Sequence, residues 1–432
     1  MLVRLQSPPQ LTRVRPAKVA PYGPDLLRMS ARGSEGGQKE HYRHQGGWPI
    51  HLHRWAFHRG KLGLPRSSGQ TTGASAASGL RFAPMKSYQF RDYGQTLEAI
   101  EGLTPKPVGT ELLIRVMACG ACHSDVHVWE GHYDMGGGRK LDVRSGRDLP
   151  FTLGHEIVGE VVALGPETEG AAIGDRRVIF PWIGCGTCET CERGDEHLCP
   201  KTRAIGTFVQ GGYSDHVMVP HARYLFDYGD VDPKLACTYA CSGVTAFSAV
   251  RKVMGQRGRH IVILGAGGVG LSALRMAKAL TDFDVIVVDQ RQDALDAATG
   301  AGADHVVDTT ADDANRQIKS LSNGGPCAAV DCVGAAATAK LGMRCLAMSG
   351  TLVVVGLFGG SLEVSLPLLP LKNLTLRGSF LGSLAEMDEL MSLVRAGRIG
   401  AIPVETRPLT EAQRTLDDLA AGNVVGRVVL TP

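Results

Sequence analysis

The sequence predicts an α/β fold in which a mainly-β part is joined to a doubly wound parallel sheet. Three observations support this prediction. The chain has 432 residues, which exceeds one ordinary domain, so two domains are expected. Residues 85–240 read as short strands separated by turn residues, which is typical of a mainly-β domain. From Arg259 onward, apolar strands alternate with helical stretches, and this alternation predicts a parallel sheet covered by helices.

The composition is that of an ordinary globular protein. Hydrophobic residues make up 44% of the chain and charged residues 21%. No run of 18 apolar residues free of charge occurs, so a membrane-spanning helix is not expected. Nothing marks the chain as secreted, so we expect free thiols and a cytoplasmic location.

The first 84 residues differ from the rest in charge and texture. They hold 13 Lys and Arg against three acids, a net charge of +10, whereas the remainder carries −7. They lack periodic apolar positions, so residues 1–84 are predicted to form a disordered basic extension. This extension could be an organellar presequence, although its prolines oppose the amphipathic helix that a presequence needs. It could instead be an arm that binds nucleic acid, or a dispensable tail upstream of a true start at Met85, which we favour.

Individual elements can be placed within this outline. Met85–Phe90 and Glu111–Met117 are predicted to form short strands, and glycine- and valine-rich strands follow them. Near the other end, the pattern predicts a helix over Leu384–Arg395 and a closing strand over Gly426–Leu430.

One stretch of the mainly-β part contains the ligand types that a zinc ion prefers. Cys122 offers a thiolate, His155 an imidazole and Glu156 a nearby carboxylate. Between them, Ser124 and His127 place a hydroxyl and a second imidazole at a spacing suited to passing a proton outward. The stretch therefore predicts a catalytic zinc site with a route for protons.

A catalytic zinc site keeps three protein ligands and one open position, so a third strong ligand is required. Cys237 and Cys241 are both candidates, and the residue pattern alone does not choose between them. Cys119 likewise competes with Cys122. These two residues could also form a CxxC redox couple, although no thioredoxin-like pattern surrounds them.

Four further cysteines form the most specific signal in the chain. Four thiols within 15 residues can wrap one tetrahedral zinc ion and leave no open position, which predicts a structural site. Disulfides are disfavoured because nothing indicates secretion, and an iron–sulfur cluster of the ferredoxin type needs a different spacing. The four residues are Cys185, Cys188, Cys191 and Cys199.

A glycine-rich segment after a predicted strand has the spacing of a dinucleotide-binding loop. The strand and the helix on either side of it supply the context that this otherwise weak motif needs. Gly265 suits the tight turn, Gly267 the close approach of a pyrophosphate, and Gly270 the packing of the helix. The helix N-terminus then offers backbone N–H groups to the phosphates. The loop comprises Gly265, Gly267, Gly268, Val269 and Gly270.

The strand predicted over Asp282–Val288 is followed by Asp289, which lies 24 residues after Gly265. A carboxylate at this place can accept hydrogen bonds from the adenosine ribose and would repel a 2′-phosphate, so it favours NAD over NADP. Arg291 lies close by and weakens this preference, since an arginine can bind a 2′-phosphate.

With these features in this order, the chain resembles the zinc-dependent medium-chain alcohol dehydrogenases. The resemblance covers Met85 to Pro432, which are 348 residues. It implies a GroES-like catalytic domain over 85–242 and 359–432, and a Rossmann domain over 243–358. It also implies NAD, two zinc ions per chain and a homodimer or homotetramer.

The resemblance implies which cysteines bind the catalytic metal. In the family motif, the ligand directly precedes a His/Arg-Ser/Thr-Asp run, which points to Cys122. The later ligand precedes a Gly-x-Thr, which points to Cys241, and His155 completes the set. Glu156 matches the acid beside the metal, and Asp125 matches the residue that holds the other nitrogen of the ligand histidine.

Roles for the surrounding residues also follow from the resemblance. Ser124 would take the proton of the alcohol, and His127 would pass it to solvent. The substrate pocket would contain three aromatic residues, which are Trp129, Tyr133 and Trp182.

Cofactor contacts are implied in the same way. His123 and Arg427 would contact the phosphates, whereas Thr245, Val333 and the Val355–Leu357 backbone would line the nicotinamide.

The activity that the resemblance implies is the reversible oxidation of a primary or secondary alcohol to an aldehyde or ketone by hydride transfer to NAD. A polyol or formaldehyde-adduct dehydrogenase of the same family is the alternative. A non-enzymatic protein that binds nucleic acid through its basic tail is the alternative from a different class. One departure from the family concerns the substrate, because residues 134–148, before the His155 ligand, are longer and more charged than in many members.

Overall fold

A computed structural model of the chain describes residues 83–310 and 312–432. Residues 1–82 of the predicted basic extension lie outside the described residues. In the described part, no helix has both the length and the apolar character that crossing a bilayer requires.

The strands are β1 (Met85–Phe90), β2 (Glu98–Gly102), β3 (Leu112–Gly120), β4 (His132–Asp134), β5 (Lys140–Asp142), β6 (Phe151–Thr152), β7 (Glu156–Leu164), β8 (Arg176–Ile179), β9 (His216–Val219), β10 (Leu225–Phe226), β11 (His260–Leu264), β12 (Asp284–Asp289), β13 (His305–Asp308), β14 (Ala328–Asp331), β15 (Thr351–Val354), β16 (Thr375–Gly378), β17 (Val404–Pro408) and β18 (Arg427–Thr431). The α-helices are α1 (His123–Glu130), α2 (Glu189–Glu192), α3 (Pro233–Ala236), α4 (Ser242–Arg251), α5 (Gly268–Leu280), α6 (Gln292–Gly300), α7 (Ala314–Leu321), α8 (Ala336–Cys345), α9 (Leu368–Lys372), α10 (Leu384–Arg395) and α11 (Ala412–Ala420).

The mainly-β part is organised around β3 and β7, which pair antiparallel. Their sheet has the order β10-β8-β7-β3-β18-β17, and β9 also pairs with β3. A smaller sheet has the order β2-β1-β6, and β4 and β5 form a separate hairpin. In this sheet β18, from the end of the chain, lies between β3 and β17. The predicted strand at Met85–Phe90 is confirmed as β1.

The second part is a parallel sheet with the order β13-β12-β11-β14-β15-β16. This is the doubly wound order in which the direction of winding reverses beside the first strand, here β11. Ile261 and Ile263 of β11 pack on one face, whereas Val262 and Leu264 pack on the other. Since side chains alternate along a strand, this pattern requires an apolar layer on both faces, and helices supply it. The predicted fold class is confirmed.

One predicted domain boundary is wrong. Residues from 359 onward were expected in the catalytic domain, but β16 pairs with β15 in the parallel sheet, with Thr375 opposite Thr351. The parallel sheet therefore extends to residue 378. The rest of the predicted division into domains stays a prediction. Nearer the C-terminus, α10 begins and ends where the sequence predicted it, at Leu384 and Arg395.

Candidate active site

Three side chains from distant parts of the chain converge in the mainly-β part. Cys122 directly precedes α1, His155 directly precedes β7, and Cys241 directly precedes α4. Their ligand atoms all lie within 4.8 Å of one another, and all three residues are buried. Each is held at the end of a regular element, so the backbone of three different elements fixes the geometry of the group.

Asp125 organises two of the three ligands. One of its carboxylate oxygens lies 2.9 Å from His155 Nδ1 and accepts the backbone N–H of Gly154 at 3.3 Å. The other accepts the backbone N–H of Cys122 at 2.9 Å and the hydroxyl of Tyr213 at 3.2 Å. Because Asp125 is fully buried, these four contacts are the partners of its charge. Tyr213 has no sequence signal that would have marked it.

The donor set fits a zinc ion. His155 Nε2 is buried and has no hydrogen-bond partner in the described part of the chain, while Asp125 occupies the Nδ1 side of the same ring. A hydrogen bond from Cys241 lowers the pKa of Cys122, and the same contact raises the pKa of Cys241. Two sulfurs and one imidazole nitrogen are the ligands that an open zinc site uses.

The competing cysteines lie close to the group but outside it. Burial raises the pKa of both Cys119 and Cys237, which therefore remain neutral thiols. Cys237 donates its S–H to the carbonyl oxygen of Lys234 at 3.3 Å. The converging group in the described structure thus contains Cys122 and Cys241 and leaves out Cys119 and Cys237.

Glu156 is bound to Arg427 in a buried ion pair. The other Glu156 oxygen accepts the backbone N–H of Ser242 at 3.0 Å, so both of its oxygens have partners. Burial works against the charge of Arg427, but Glu156 outweighs it and raises the pKa of the guanidinium. Gly120 leaves room for this carboxylate, because a Cβ there would lie 2.2 Å from Glu156 Oε2. Glu156 is therefore not one of the converging ligands in this structure.

Arg427 also approaches the glycine-rich loop. Its side chain packs against Gly268, where a Cβ would lie 2.1 Å from Arg427 Cδ. The expected contact of this arginine with the cofactor phosphates is thus compatible with the position of its stem, while its guanidinium binds Glu156. The Arg427 side chain thus contacts both Glu156 and the glycine-rich loop. The sequence did not predict this double contact.

The four clustered cysteines form a second ligand group. Their sulfurs all lie within 4.8 Å of one another, with Cys188 Sγ 3.6 Å from Cys191 Sγ and 3.8 Å from Cys199 Sγ. Sulfurs bound to one tetrahedral zinc ion at ~2.3 Å lie about 3.8 Å apart. A disulfide would require about 2 Å, so these distances exclude one. Cys185 completes the group.

The glycine-rich loop lies at the carboxyl end of β11, where the winding of the sheet reverses. Gly265 has φ +92°, and a Cβ there would lie 2.5 Å from Val333 Cγ2. A Cβ at Gly270 would lie 1.8 Å from the carbonyl oxygen of Gly265, so the helix could not pack this closely with any other residue. At Gly267, in contrast, a Cβ would meet no protein atom within 4 Å. That open side faces the N-terminus of α5, where a phosphate can approach the backbone amides.

Asp289 ends β12 and is half-buried. One of its oxygens accepts the backbone N–H of Ala266 at 2.7 Å, so the carboxylate is fixed beside the glycine-rich loop. Arg291, which could have favoured NADP, donates to Asp293 at 2.9 Å and also binds the carbonyl oxygen of Gly422. The positive charge of Arg291 is therefore paired with the Asp293 carboxylate.

One cavity of about 300 Å³ brings most of the predicted site residues together. Its mouth carries exposed apolar side chains that the sequence did not single out, among them Phe358, which is 65% exposed, and Phe380, which is 50% exposed. The predicted residues that line the cavity are Cys122, His123, Ser124, His127, Cys241, Thr245, Gly265, Gly267, Gly268, Val269, Gly270, Asp289, Val333, Val355 and Arg427.

The three aromatic residues predicted for the substrate pocket are not among the residues that line this cavity. Trp129 donates its indole N–H to the carbonyl oxygen of Gln95 at 2.7 Å and packs on the core. Trp182 is buried with its ring 5.2 Å from the ring of His155, so it packs against a ligand. The ring of Tyr133 packs against the ring of His127, with ring centres 4.7 Å apart.

His127 is half-buried in the wall of the cavity. Burial and the nearby His123 lower its pKa, so the ring is neutral at pH 7 and can accept a proton. Ser124 lies one helical turn earlier in α1 and lines the same cavity. Thr245 lines the same cavity and has a buried hydroxyl without a hydrogen-bond partner in the described residues.

A phosphate-binding glycine loop and a three-ligand metal group that share one cavity define a two-domain metal-dependent dehydrogenase. Comparisons with known proteins agree. Residues 109–228 match the family described as "Alcohol dehydrogenase GroES-like domain", and residues 268–396 match "Zinc-binding dehydrogenase". A protein of Sulfurisphaera tokodaii named "NAD-dependent alcohol dehydrogenase" is 37% identical over 81% of this chain and 100% of its own length.

Two further proteins are similar over the same region. The crystal structure of the alcohol dehydrogenase of Aeropyrum pernix superposes with a TM-score of 0.73 at 29% identity, over 80% of this chain and 100% of that one. A protein of Saccharolobus solfataricus named "D-arabinose 1-dehydrogenase (NADP(+))" is 28% identical over 80% of this chain and 97% of its own. The chain belongs to the zinc-dependent medium-chain alcohol dehydrogenase family.

Proposed function

We propose that this chain catalyses the reversible, NAD-dependent oxidation of a primary or secondary alcohol to an aldehyde or ketone at a zinc ion held by Cys122, His155 and Cys241. One observation carries the proposal. The two ligand cysteines line the same cavity as Gly267 and Val333, so a metal and a dinucleotide would meet there. The fourfold cysteine group would hold a second, structural zinc ion.

The chain supplies a route for the proton of the alcohol. When bound, zinc supplies a Lewis acid that lowers the pKa of a hydroxyl group, and NAD supplies the hydride acceptor. Ser124 would take the released proton, and His127 would pass it toward solvent, since its lowered pKa keeps the ring neutral. Asp125 would hold the ring of His155 in the orientation that turns Nε2 toward the metal.

NAD is proposed over NADP because Asp289 lies in the cavity wall with its carboxylate fixed by Ala266 N–H. A 2′-phosphate placed beside this charge would be repelled. Arg291 lines the same cavity, but its charge is paired with Asp293 and so compensates this repulsion less well.

A panel of alcohols, offered with NAD and with NADP and combined with zinc counting, tests the proposal. We expect two zinc ions per chain, turnover with NAD, and loss of turnover in Cys122→Ala and His155→Ala while the fold survives. Cys237→Ala is the matched control, since this buried thiol lies outside the ligand group. Full activity of Cys122→Ala, or an equal loss in Cys237→Ala, would contradict the metal assignment.

A polyol or sugar dehydrogenase is the second candidate, because a relative that is 28% identical is named for D-arabinose. The apolar mouth around Phe358 and Phe380 favours an apolar alcohol instead. The same panel separates the two, since a sugar that is oxidised with the higher kcat/KM would favour the second candidate.

We also propose that the chain forms a homo-oligomer through the edge of its parallel sheet. In the described residues β16 pairs with β15 alone, and its Leu376 is 47% exposed, beside α9 with Leu371 71% exposed. An unpaired edge flanked by exposed leucines is a site where a second copy can add its strand. Sedimentation should show a dimer or tetramer that Leu376→Glu dissociates, whereas Leu103→Glu, at a 93% exposed site elsewhere, should leave it intact.

We propose a cytoplasmic location because the two proposed zinc sites depend on free cysteine thiols. Six cysteines would serve as metal ligands, and they need a reducing compartment to stay free of disulfides.

A further inference from the structure

The β4–β5 hairpin connects the two walls of the cavity. In the middle of β4, Tyr133 packs on His127, which lines the cavity from the mainly-β side. At its tip, the carbonyl oxygen of Asp134 accepts the backbone N–H of Gly360 at 3.4 Å. Gly360 lies two residues after Phe358, which lines the cavity from the side of the parallel sheet. The hairpin therefore contacts a lining residue of one wall and a neighbour of the other, while none of residues 132–142 lines the cavity itself.

The contact at the tip is made between two backbones. Gly136 is buried although the residues around it in the turn are exposed. A Cβ at Gly136 would lie 2.7 Å from the carbonyl carbon of Gly360 and 2.8 Å from the backbone nitrogen of Ser361. On the other side, a Cβ at Gly359 would lie 2.8 Å from the carbonyl oxygen of Asp134. Glycines on both partners thus permit an approach that no other residue allows.

Both partners of this contact are anchored. Arg144 follows β5 and donates to Asp142 at 3.0 Å, while its carbonyl oxygen accepts the hydroxyl of Tyr93 at 2.6 Å. On the other side, Phe358 and Gly359 donate their backbone N–H groups to Val333 and Gly334 at 3.1 and 3.0 Å. A movement of the tip away from Gly360 would therefore break a contact between the two sides of the cavity.

We propose that the β4–β5 hairpin is a strap across the mouth of the cavity, and that Gly136 is the positioning residue that sets the width of this mouth and hence the size of alcohol accepted. The proposal rests on the proposed alcohol dehydrogenase activity. While the hairpin contacts Gly360, the mouth is narrow, so the cavity holds small alcohols against its apolar wall and excludes bulky ones. A displaced strap admits bulky alcohols and holds small ones less well.

Gly136→Ala tests the proposal, and the turn itself provides a matched control. Gly136 has φ +76° and Gly138 has φ +75°, so alanine strains the backbone equally at both positions. A Cβ at Gly138, however, would meet no protein atom within 4 Å. The difference between Gly136→Ala and Gly138→Ala thus isolates the contact with Gly360 from the cost of the turn.

Two readouts are compared in the zinc-loaded full chain. The first is the ratio of kcat/KM for an aromatic primary alcohol to that for ethanol, with NAD. We expect this ratio to rise about tenfold in Gly136→Ala, with a higher KM for ethanol and a smaller change in kcat, and to change less than twofold in Gly138→Ala. The second is hydrogen exchange of the peptide over residues 132–142, with and without NADH. Exchange there should be faster in Gly136→Ala than in Gly138→Ala.

The outcomes distinguish the strap from the activity on which it rests. If the wild type oxidises alcohols but the ratio moves equally in both variants, or in neither, the strap does not set substrate size. Unchanged exchange in Gly136→Ala would show that the tip contact does not hold the hairpin. A wild type that oxidises no alcohol would overturn the proposed function and, with it, the role of the hairpin in substrate choice.

Discussion

Replacing Asp125 with asparagine should release the catalytic metal and spare the structural one. The two carboxylate oxygens of Asp125 accept four hydrogen bonds, including those from His155 Nδ1 and the backbone N–H of Cys122. An asparagine keeps the shape of the side chain but replaces one oxygen with an N–H₂ group, which faces two of these donors and repels them. The ring of His155 then loses its fixed orientation, or Cys122 loses the amide contact that holds its turn.

The size of the effect can be bounded. A hydrogen bond to a charged group contributes about 1.5–3 kcal/mol, so two lost bonds weaken the buried group by about 3–6 kcal/mol in total. Part of this loss lowers the free energy of unfolding, and part lowers the affinity for the metal. Changes at residues that orient a ligand histidine lower metal affinity about 10–100-fold, which corresponds to about 1.4–2.8 kcal/mol.

The assay is a competition between the protein and a chelator, with zinc counted per chain. In Asp125→Asn, one zinc ion should be lost at about 10–100-fold lower chelator concentration than in the wild type. The zinc held by the four-cysteine group should be unaffected, which makes it an internal control. Tyr213→Phe removes only the donor at 3.2 Å and should weaken binding less. Equal retention of both zinc ions by Asp125→Asn and wild type would show that Asp125 does not stabilise the metal site.

Three further predictions follow from single contacts. Arg427→Ala should lower the free energy of unfolding by about 3–5 kcal/mol, because it leaves the buried Glu156 carboxylate without its partner; chemical denaturation measures this. Asp289→Gly should raise kcat/KM with NADP relative to NAD, as steady-state kinetics with both cofactors will show, because the charge that repels a 2′-phosphate is gone. The acidic limb of the pH profile of kcat/KM should lie below pH 6.5, since burial and His123 lower the pKa of His127 and the ring gains its proton only at more acidic pH. His127→Gln should remove this limb.

The first of these predictions has a control in the same chain, and the other two each have an outcome that would contradict them. Arg407→Ala removes an arginine with two carboxylate partners outside the cavity, so it separates loss of stability from loss of the contact with Glu156. An unchanged NADP-to-NAD ratio in Asp289→Gly would contradict the role of that carboxylate. An acidic limb that stays in place in His127→Gln would assign it to another group.

The sequence predicted the features that depend on local chemistry. The strand at Met85–Phe90 and the helix at Leu384–Arg395 follow from patterns of neighbouring residues, and both are confirmed. The glycine-rich loop was equally predictable, because each glycine answers a constraint within a few residues. The metal ligands needed the family motif, since Cys237 and Cys241 lie in one turn and only the backbone decides which sulfur points inward.

Features that depend on distant contacts were not predictable. Glu156 and Arg427 are 271 positions apart, and nothing in either segment signals their ion pair. The same holds for the contact of Gly136 with Gly360. The predicted pocket residue Trp129 does not line the cavity, because packing and one hydrogen bond satisfy its side chain elsewhere. The boundary at residue 358 failed because β16 is an exposed edge strand without the apolar run of a buried one.

The central claim is that Cys122, His155 and Cys241 bind one metal ion that keeps an open position toward the cavity. A crystal structure of the chain with NADH, with anomalous scattering recorded at the zinc edge, tests it directly. We expect one peak about 2.3 Å from both sulfurs and about 2.0–2.1 Å from His155 Nε2, with its fourth side facing the cavity, and a second peak within the four-cysteine group. A peak missing from the first group, or a zinc ion there closed by Glu156 as a permanent fourth protein ligand, would contradict it.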